Sequence, residues 1–183
     1  MNILAIKYNA TPEVEHVSSD LIELSTRHNF AHFLATGTVY RGWARSASGD
    51  TAEGILTIED GIENYRTIGS MLLMPLFLAL KAEGLHHADR TPEALEAIRE
   101  AEALVERFEW RWWCAELHRL RGVFLAAIGA EETQIEASFC EAIKIAKEQK
   151  SISLAKRAES TYAEYRRQKA SALGGHGFRI PLC

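Results

Sequence analysis

Apolar residues recur along this chain at steps of three and four, and the same order of steps returns every forty residues. Phe33, Gly37, Tyr40 and Ala44 are followed forty residues on by Leu73, Phe77, Leu80 and Gly84, and then by Trp113, Leu117, Leu120 and Phe124. Steps of four, three and four place such positions on one face of a helix. Inside each copy stands a large apolar residue, a cation and a very small residue: Tyr40-Arg41-Gly42, Leu80-Lys81-Ala82 and Leu120-Arg121-Gly122. A second helix repeats as small, large, small. Gly54, Ile58 and Gly61 match Ala94, Ile98 and Ala101, and Ile135, Phe139 and Ala142 follow at a step of forty-one. The extra residue falls in the loop from Gly129 to Glu132, where an insertion is cheap. Small residues on that face predict a close approach of two helices, which a bulky residue at Gly61 or Ala101 would prevent.

The pattern predicts helices over about 12–28, 30–48, 51–68, 70–87, 91–108, 110–128, 132–149 and 151–169. Breaks fall at His28-Asn29, Ser48 to Asp50, Gly69, Asp89 to Pro92, Gly129 and Lys150. Thr91-Pro92-Glu93 reads as a helix start, with a capping hydroxyl, a first-turn proline and an acid at the positive end of the dipole. Short loops make neighbouring helices antiparallel. A unit that cannot bury its apolar face alone buries it on its neighbours, so the expected fold is an all-α solenoid of about eight helices. It covers 1–170, with repeats at about 30–69, 70–109 and 110–150, a partial repeat at each end, and an irregular tail over 171–183.

These residues resemble the tetratricopeptide repeat, over roughly residues 13 to 169. Gly42, Ala82 and Gly122 take the place of that family's small residue near position eight of its first helix, and the small-large-small triplets take its second-helix places. The resemblance implies a right-handed superhelix of antiparallel helical hairpins. The copies are longer than the family's usual thirty-four or so residues, Thr38 and His118 stand where an early aromatic is usual, and the closing prolines are missing. The stretches 37–44 and 111–122, the second with paired tryptophans before Glu116-Leu117-His118-Arg119-Leu120-Arg121-Gly122, look like the long C-terminal repeats of large bacterial signalling proteins. In those, a class III adenylate or guanylate cyclase or a DNA-binding domain precedes an ATPase module. The resemblance implies a sensor or scaffold segment and brings no catalysis, since no such module is present.

Composition narrows the partners. The chain has 183 residues and a formal net charge of −4, enough for one domain with a sizeable core and without the basic field that nucleic acid requires. The longest apolar run, Met71 to Leu80, falls well short of a membrane span, and Met1 to Ala10 lacks a signal peptide's apolar segment. Cys114, Cys140 and Cys183 form no even framework, which suits a reducing, cytoplasmic setting. In the tail, Gly174, Gly175 and Gly177 will not hold a helix. The face of the last helix carrying Leu154, Ala158, Tyr162 and Tyr165 is then left to one of two covers. Either the tail folds back through Leu173, Phe178 and Ile180, or another protein or a second copy pairs with this C-terminal end as a homodimer.

Candidate chemistry is thin. Cys114 and His118, and His28 and His32 if their helix is continuous, have the spacing of two zinc ligands, but no third ligand is indicated, and Cys114 reads as a small core residue. His86 and His87 read as surface residues near a helix end. Gly174 to Gly177 lacks the lysine and hydroxyl of a phosphate loop, and Glu93, Glu96, Glu100 and Glu102 read as a solvated face. No catalytic residue, metal or cofactor is assigned, and the chain is expected not to be an enzyme. Among Phe108, Trp110, Trp112 and Trp113, Trp113 reads as packing and Trp110 or Trp112 as a partner contact. The resemblance implies a concave surface formed by the first helices. It would carry Thr36, Val39, Trp43 and Ser46, then Leu76, Ala79, Glu83 and His86, then Glu116, Arg119, Val123 and Ala126. The expected partner-binding set is Thr36, Val39, Trp43, Glu83, His86, Trp112, Glu116 and Arg119, suited to a protein or peptide with apolar and charged anchors. On that basis Arg119→Glu abolishes binding without changing the melting temperature. The expected function is a regulatory protein-interaction module. The alternative is a small-molecule sensor with a pocket beside Trp43 or Trp112.

Overall fold

Seven helix ends among the described residues are closed by a left-handed residue, at Asn29, Gly49, Gly69, Asp89, Glu109, Gly129 and Lys150. The computed structural model describes residues 11–172. Its elements are α1 (Thr11–His28), α2 (Ala31–Ala47), α3 (Thr51–Thr67), α4 (Met74–His87), α5 (Thr91–Phe108), a single 3-10 turn (Arg111–Trp113), α6 (Cys114–Ala127), α7 (Glu132–Glu148) and α8 (Ile152–Ala172), with no strand among the described residues. At six of the seven stops the two amides after the helix turn back onto it. Asp50 N–H donates to Arg45 O and Gly49 N–H to Ser46 O; the same pair of bonds recurs at 29–30, 69–70, 89–90, 129–130 and 150–151. This is the Schellman closure, which satisfies carbonyls the helix leaves open. The stops recur every twenty residues, with the one added residue between Gly129 and Glu132.

Helix boundaries differ from the sequence pattern at two starts. Pro75 stands in the first turn of α4, so that helix begins at Met74 and the run Met71 to Leu73 is a turn. The 3-10 turn delays α6 to Cys114 in the same way. Leu73 and Trp113 are therefore N-cap residues, half-buried, and Phe33 in the first turn of α2 is exposed. The first position of the expected apolar stripe lies too near the helix ends to be covered. Thr91 Oγ1 lies 2.9 Å from His86 Nδ1, joining α4 to α5.

Two compact units divide the chain after Arg107. In the first, α2 packs on α1, α3 and α4, and α3 packs on α4. Salt bridges join Lys81 of α4 to Glu59 of α3 and Arg66 of α3 to Glu100 of α5. Its core holds Val39, Ile58, Tyr65, Met74, Phe77 and Leu85. The α2–α3 seam brings backbone against backbone: a Cβ on Gly42 would stand 2.7 Å from Gly54 O and from Ile58 N, and one on Gly61 would stand 2.6 Å from Val39 Cγ2. The small-large-small pattern thus does what its spacing predicts.

In the second unit α6 packs on α7 and α8, and α7 on α8. The ring of Phe139 sits over Gly122, where a Cβ would be 2.9 Å from it. Phe139 also stacks on Tyr162, with centroids 5.3 Å apart, and lies 5.8 Å from Tyr165. Ala158, Tyr162 and Tyr165 are buried. Phe139 of α7 thus packs against the Tyr162–Tyr165 part of the α8 face expected to need a cover, while Leu154 on the same face is half-buried. The tail from Leu173 onward lies outside the described residues. Burial and the Glu136 carboxylate, which accepts from its hydroxyl, push the Tyr162 phenol up to about 12. Cys140 is disulfide-bonded, which the odd cysteine count did not suggest. No helix among the described residues is long and apolar enough to cross a membrane.

Candidate functional site

The eight residues expected to line a binding surface lie mostly inside the protein. Thr36, Val39, Trp43, Glu83, Glu116 and Arg119 are all buried. The cause is the direct packing of successive first helices, α2 on α4 and α6 on α8, which closes the face that a more open arrangement would leave free. Val39 points at Gly61 of α3. The Thr36 hydroxyl donates back to His32 O at 2.9 Å, a bond local to its own helix.

Trp43 and Glu83, forty residues apart, meet across the α2–α4 contact. The indole Nε1 donates to Glu83 Oε2 at 2.7 Å. In the second unit a corresponding contact is ionic. Arg119 donates to both oxygens of Glu116, Nη2 to Oε1 at 2.7 Å and Nε to Oε2 at 3.0 Å. Arg157 of α8 adds a bond from Nη1 to Glu116 Oε1 at 3.1 Å. Arg119 Nη1 reaches Thr161 Oγ1 at 3.5 Å, and Thr161 itself donates to Arg157 O. Burial would raise the Glu116 carboxyl, but the two guanidiniums outweigh it and hold the group below its ordinary range. Such a carboxylate is a poor proton acceptor. Its chemistry is that of a clamp between α6 and α8, and Arg119 belongs to the interior and not to a groove.

The histidines also divide differently from their spacing. Asn29 is left-handed and ends α1, so His28 and His32 sit on separate helices. His32 Nδ1 lies 3.2 Å from Ser70 Oγ. His86 and His87 are half-buried rather than on the surface. Burial lowers both, and the neighbouring His87 lowers His86 further. Among the described residues no three His, Cys, Asp or Glu side chains gather as a metal site.

Trp112 is the one expected contact residue that stands open, 40% exposed. It belongs to an aromatic group at the start of the second unit. Phe108 stacks on Trp110 with centroids 4.5 Å apart and planes at 17°, and Trp112 lies 5.5 Å from Trp113. Phe108 ends α5, and the left-handed Glu109 and the 3-10 turn hold Trp110, Trp112 and Trp113 outside any long helix. Gln149 Nε2 donates to Arg111 O and ties the turn to the end of α7. The Trp113 Nε1 is buried with no acceptor among the described residues. The Glu116–Arg119–Arg157 cluster was not anticipated. Its signal was a Glu and an Arg three apart on the predicted concave face, a pairing that helix geometry permits.

No family model matches the chain, and no solved structure matches it. An uncharacterized protein of Rhizobium meliloti (strain 1021) is similar, 27% identical over 148 residues. That stretch is 81% of this chain and 14% of the relative, so the chain spans a small part of the protein it matches.

Proposed function

We propose that the chain is a non-catalytic protein–protein interaction module, a tetratricopeptide-like repeat segment of a bacterial signalling system. The observation that carries this reading is the aromatic rim of exposed Phe108 and Trp112 with half-buried Trp110 stacked on Phe108, beside a turn tied to the end of α7 on a repeated helical framework. Tryptophan is among the side chains enriched at the energetic hot spots of protein interfaces. Support also comes from the relative, in which a segment like this one is a small fraction of a much longer chain. The buried carboxylate Glu116 is saturated by arginine and serves packing, so the polar interior needs no substrate to explain it. The partner is a protein or peptide with an apolar anchor for the rim, and contact along the first-helix face is set aside because that face is closed.

The test is cross-linking of the full chain in native lysate, read by mass spectrometry, for the wild type, Trp112→Ser and the remote surface variant Lys144→Ser. A protein cross-linked near residues 108–112, lost with Trp112→Ser and kept with Lys144→Ser, is the expected result. Loss with neither variant, or with both alike, refutes the rim as the contact surface.

A further inference from the structure

We infer that α1 carries a second interaction surface, and that its occupant is a second copy of the same helix, packed antiparallel. Val14, Val17, Leu21 and Leu24 follow one another at steps of three, four and three along α1, the spacing of a two-helix seam. Val17 is 63% and Leu24 49% exposed. Ser18 and Ser25, on the flank of this seam, are buried, and Gly37 of α2 packs against Ser18, Leu21 and Ile22. So α2 covers one side of α1 as far as Leu21, leaves Val14 and Leu21 half-buried and leaves Val17 and Leu24 open. Phe33, one turn before Gly37 on α2, is 53% exposed and extends the apolar surface.

The residues at these positions decide what kind of helix fits. Forty residues on, Val14 and Leu21 correspond to Gly54 and Gly61, and eighty on to Ala94 and Ala101. Gly54 and Gly61 let α2 approach α3 backbone to backbone. At the second of these places every copy is small, Gly61, Ala101 and then Ala142, and Leu21 forbids that approach, so another hairpin partner of the repeat type does not fit. Side chains of that size suit the wider, interdigitating packing of a coiled-coil pair.

Charge selects the direction and the partner. The open flank of the seam carries Glu13, Asp20 and Arg27, seven residues apart. In an antiparallel pair of identical helices, Val14 meets Leu24 of the second copy and Val17 meets Leu21. The same register sets Glu13 opposite Arg27 twice over. Asp20 faces its own copy, a like-charge pair, with His16 of its own helix 3.6 Å away. In a parallel pair the three charges would face Ser18 and Ser25, which α2 already covers. Opposite charges across such flanks set partner and orientation. An 18-residue helix gives an interface below the usual size, so the association is weak and reversible.

The experiment is sedimentation of the full chain over a wide concentration range, with circular dichroism of every variant. The expected wild type is a concentration-dependent dimer. Leu24→Glu, or Val17→Glu should the first variant lose helicity, is monomeric with unchanged helix content. Glu13→Arg and Arg27→Glu each weaken the dimer by about tenfold, and the double reversal Glu13→Arg/Arg27→Glu restores it. A wild type that stays monomeric at the highest concentration overturns the inference, since the stripe is then covered from within the chain or by another protein. A dimer that survives both Leu24→Glu and Val17→Glu, or a double reversal no better than the singles, overturns it as well.

Discussion

Gly54→Ala should destabilise this protein although it improves a helix. In an open helix, alanine is favoured over glycine by about 1 kcal/mol. At Gly54 the added Cβ would stand 2.6 Å from Ser46 N, 2.7 Å from Gly42 O and 2.8 Å from Ser46 Cα. All three are backbone atoms of α2 and cannot rotate away. Relief requires the two helices to part by roughly 0.8 Å, and a gap of that order forfeits about a quarter to a half of each facing dispersion contact. The seam to be opened carries Val39, Ala44, Ile58 and Ile62, all buried. Overpacking of this kind costs about 1–3 kcal/mol and occasionally more. With helix propensity acting in the opposite sense, the net loss is about 2 kcal/mol. Urea unfolding followed by circular dichroism should show a midpoint lower by about 1 M, for a slope of about 2 kcal/mol per molar. Gly84→Ala is the control, because its nearest neighbours are the side-chain atoms Ser46 Oγ at 3.1 Å and Ile55 Cγ1 at 3.4 Å; it should be neutral or slightly stabilising. A Gly54→Ala variant as stable as wild type, or more so, refutes the close-approach argument.

The same seam predicts coupling: Gly61→Ala alone presses on Val39 Cγ2, so Val39→Ala/Gly61→Ala should cost less than the two single changes summed, and an additive double-mutant cycle would show that they do not touch. Arg119→Met should cost about 3–5 kcal/mol by leaving Glu116 buried without its main partner, while Glu116→Leu/Arg119→Met recovers most of that loss; equal unfolding midpoints for the two variants would contradict a buried pair. Because Glu116 is held below its ordinary range in the folded state, its stabilisation is complete above the unfolded carboxylate value of about 4.3 and is lost as pH falls through the lowered folded value. An acid unfolding curve left unchanged by Glu116→Gln would exclude that contribution. His86 and His87 are lowered by burial, so they favour the fold above about pH 6.5 and oppose it as pH falls through their lowered values; His86→Asn should flatten the stability profile there, and an identical slope in thermal melts would speak against it.

The helices were legible because their termini and their apolar face agree. Asn29, Gly49, Gly69, Gly129 and Lys150 were readable as breaks, and each is a left-handed stop. The seam was legible for a similar reason, since Gly42, Gly54 and Gly61 are too small to serve anything but close approach. The fate of the first-helix face was not legible. Trp43, Glu83, Glu116 and Arg119 look amphipathic enough for a groove, and only the distance between successive first helices decides whether they meet solvent or each other. That distance is a tertiary quantity which periodicity does not encode. Phe33 failed for the opposite reason: its spacing is that of a core residue, but its place in the first turn of α2 leaves no neighbour to cover it.

Among α2, α3, α4, α6 and α7, no N-terminal cap residue makes a side-chain capping bond, whereas the stops are written in backbone geometry. The stop is thus a degenerate signal, satisfied here by asparagine, glycine, aspartate, glutamate and lysine. What is held constant is the interval between stops and not the letter that marks each one. A chain built on this rule can drift widely in composition at its turns and still keep its phase, so its relatives are better recognised by the metre of the chain than by its spelling.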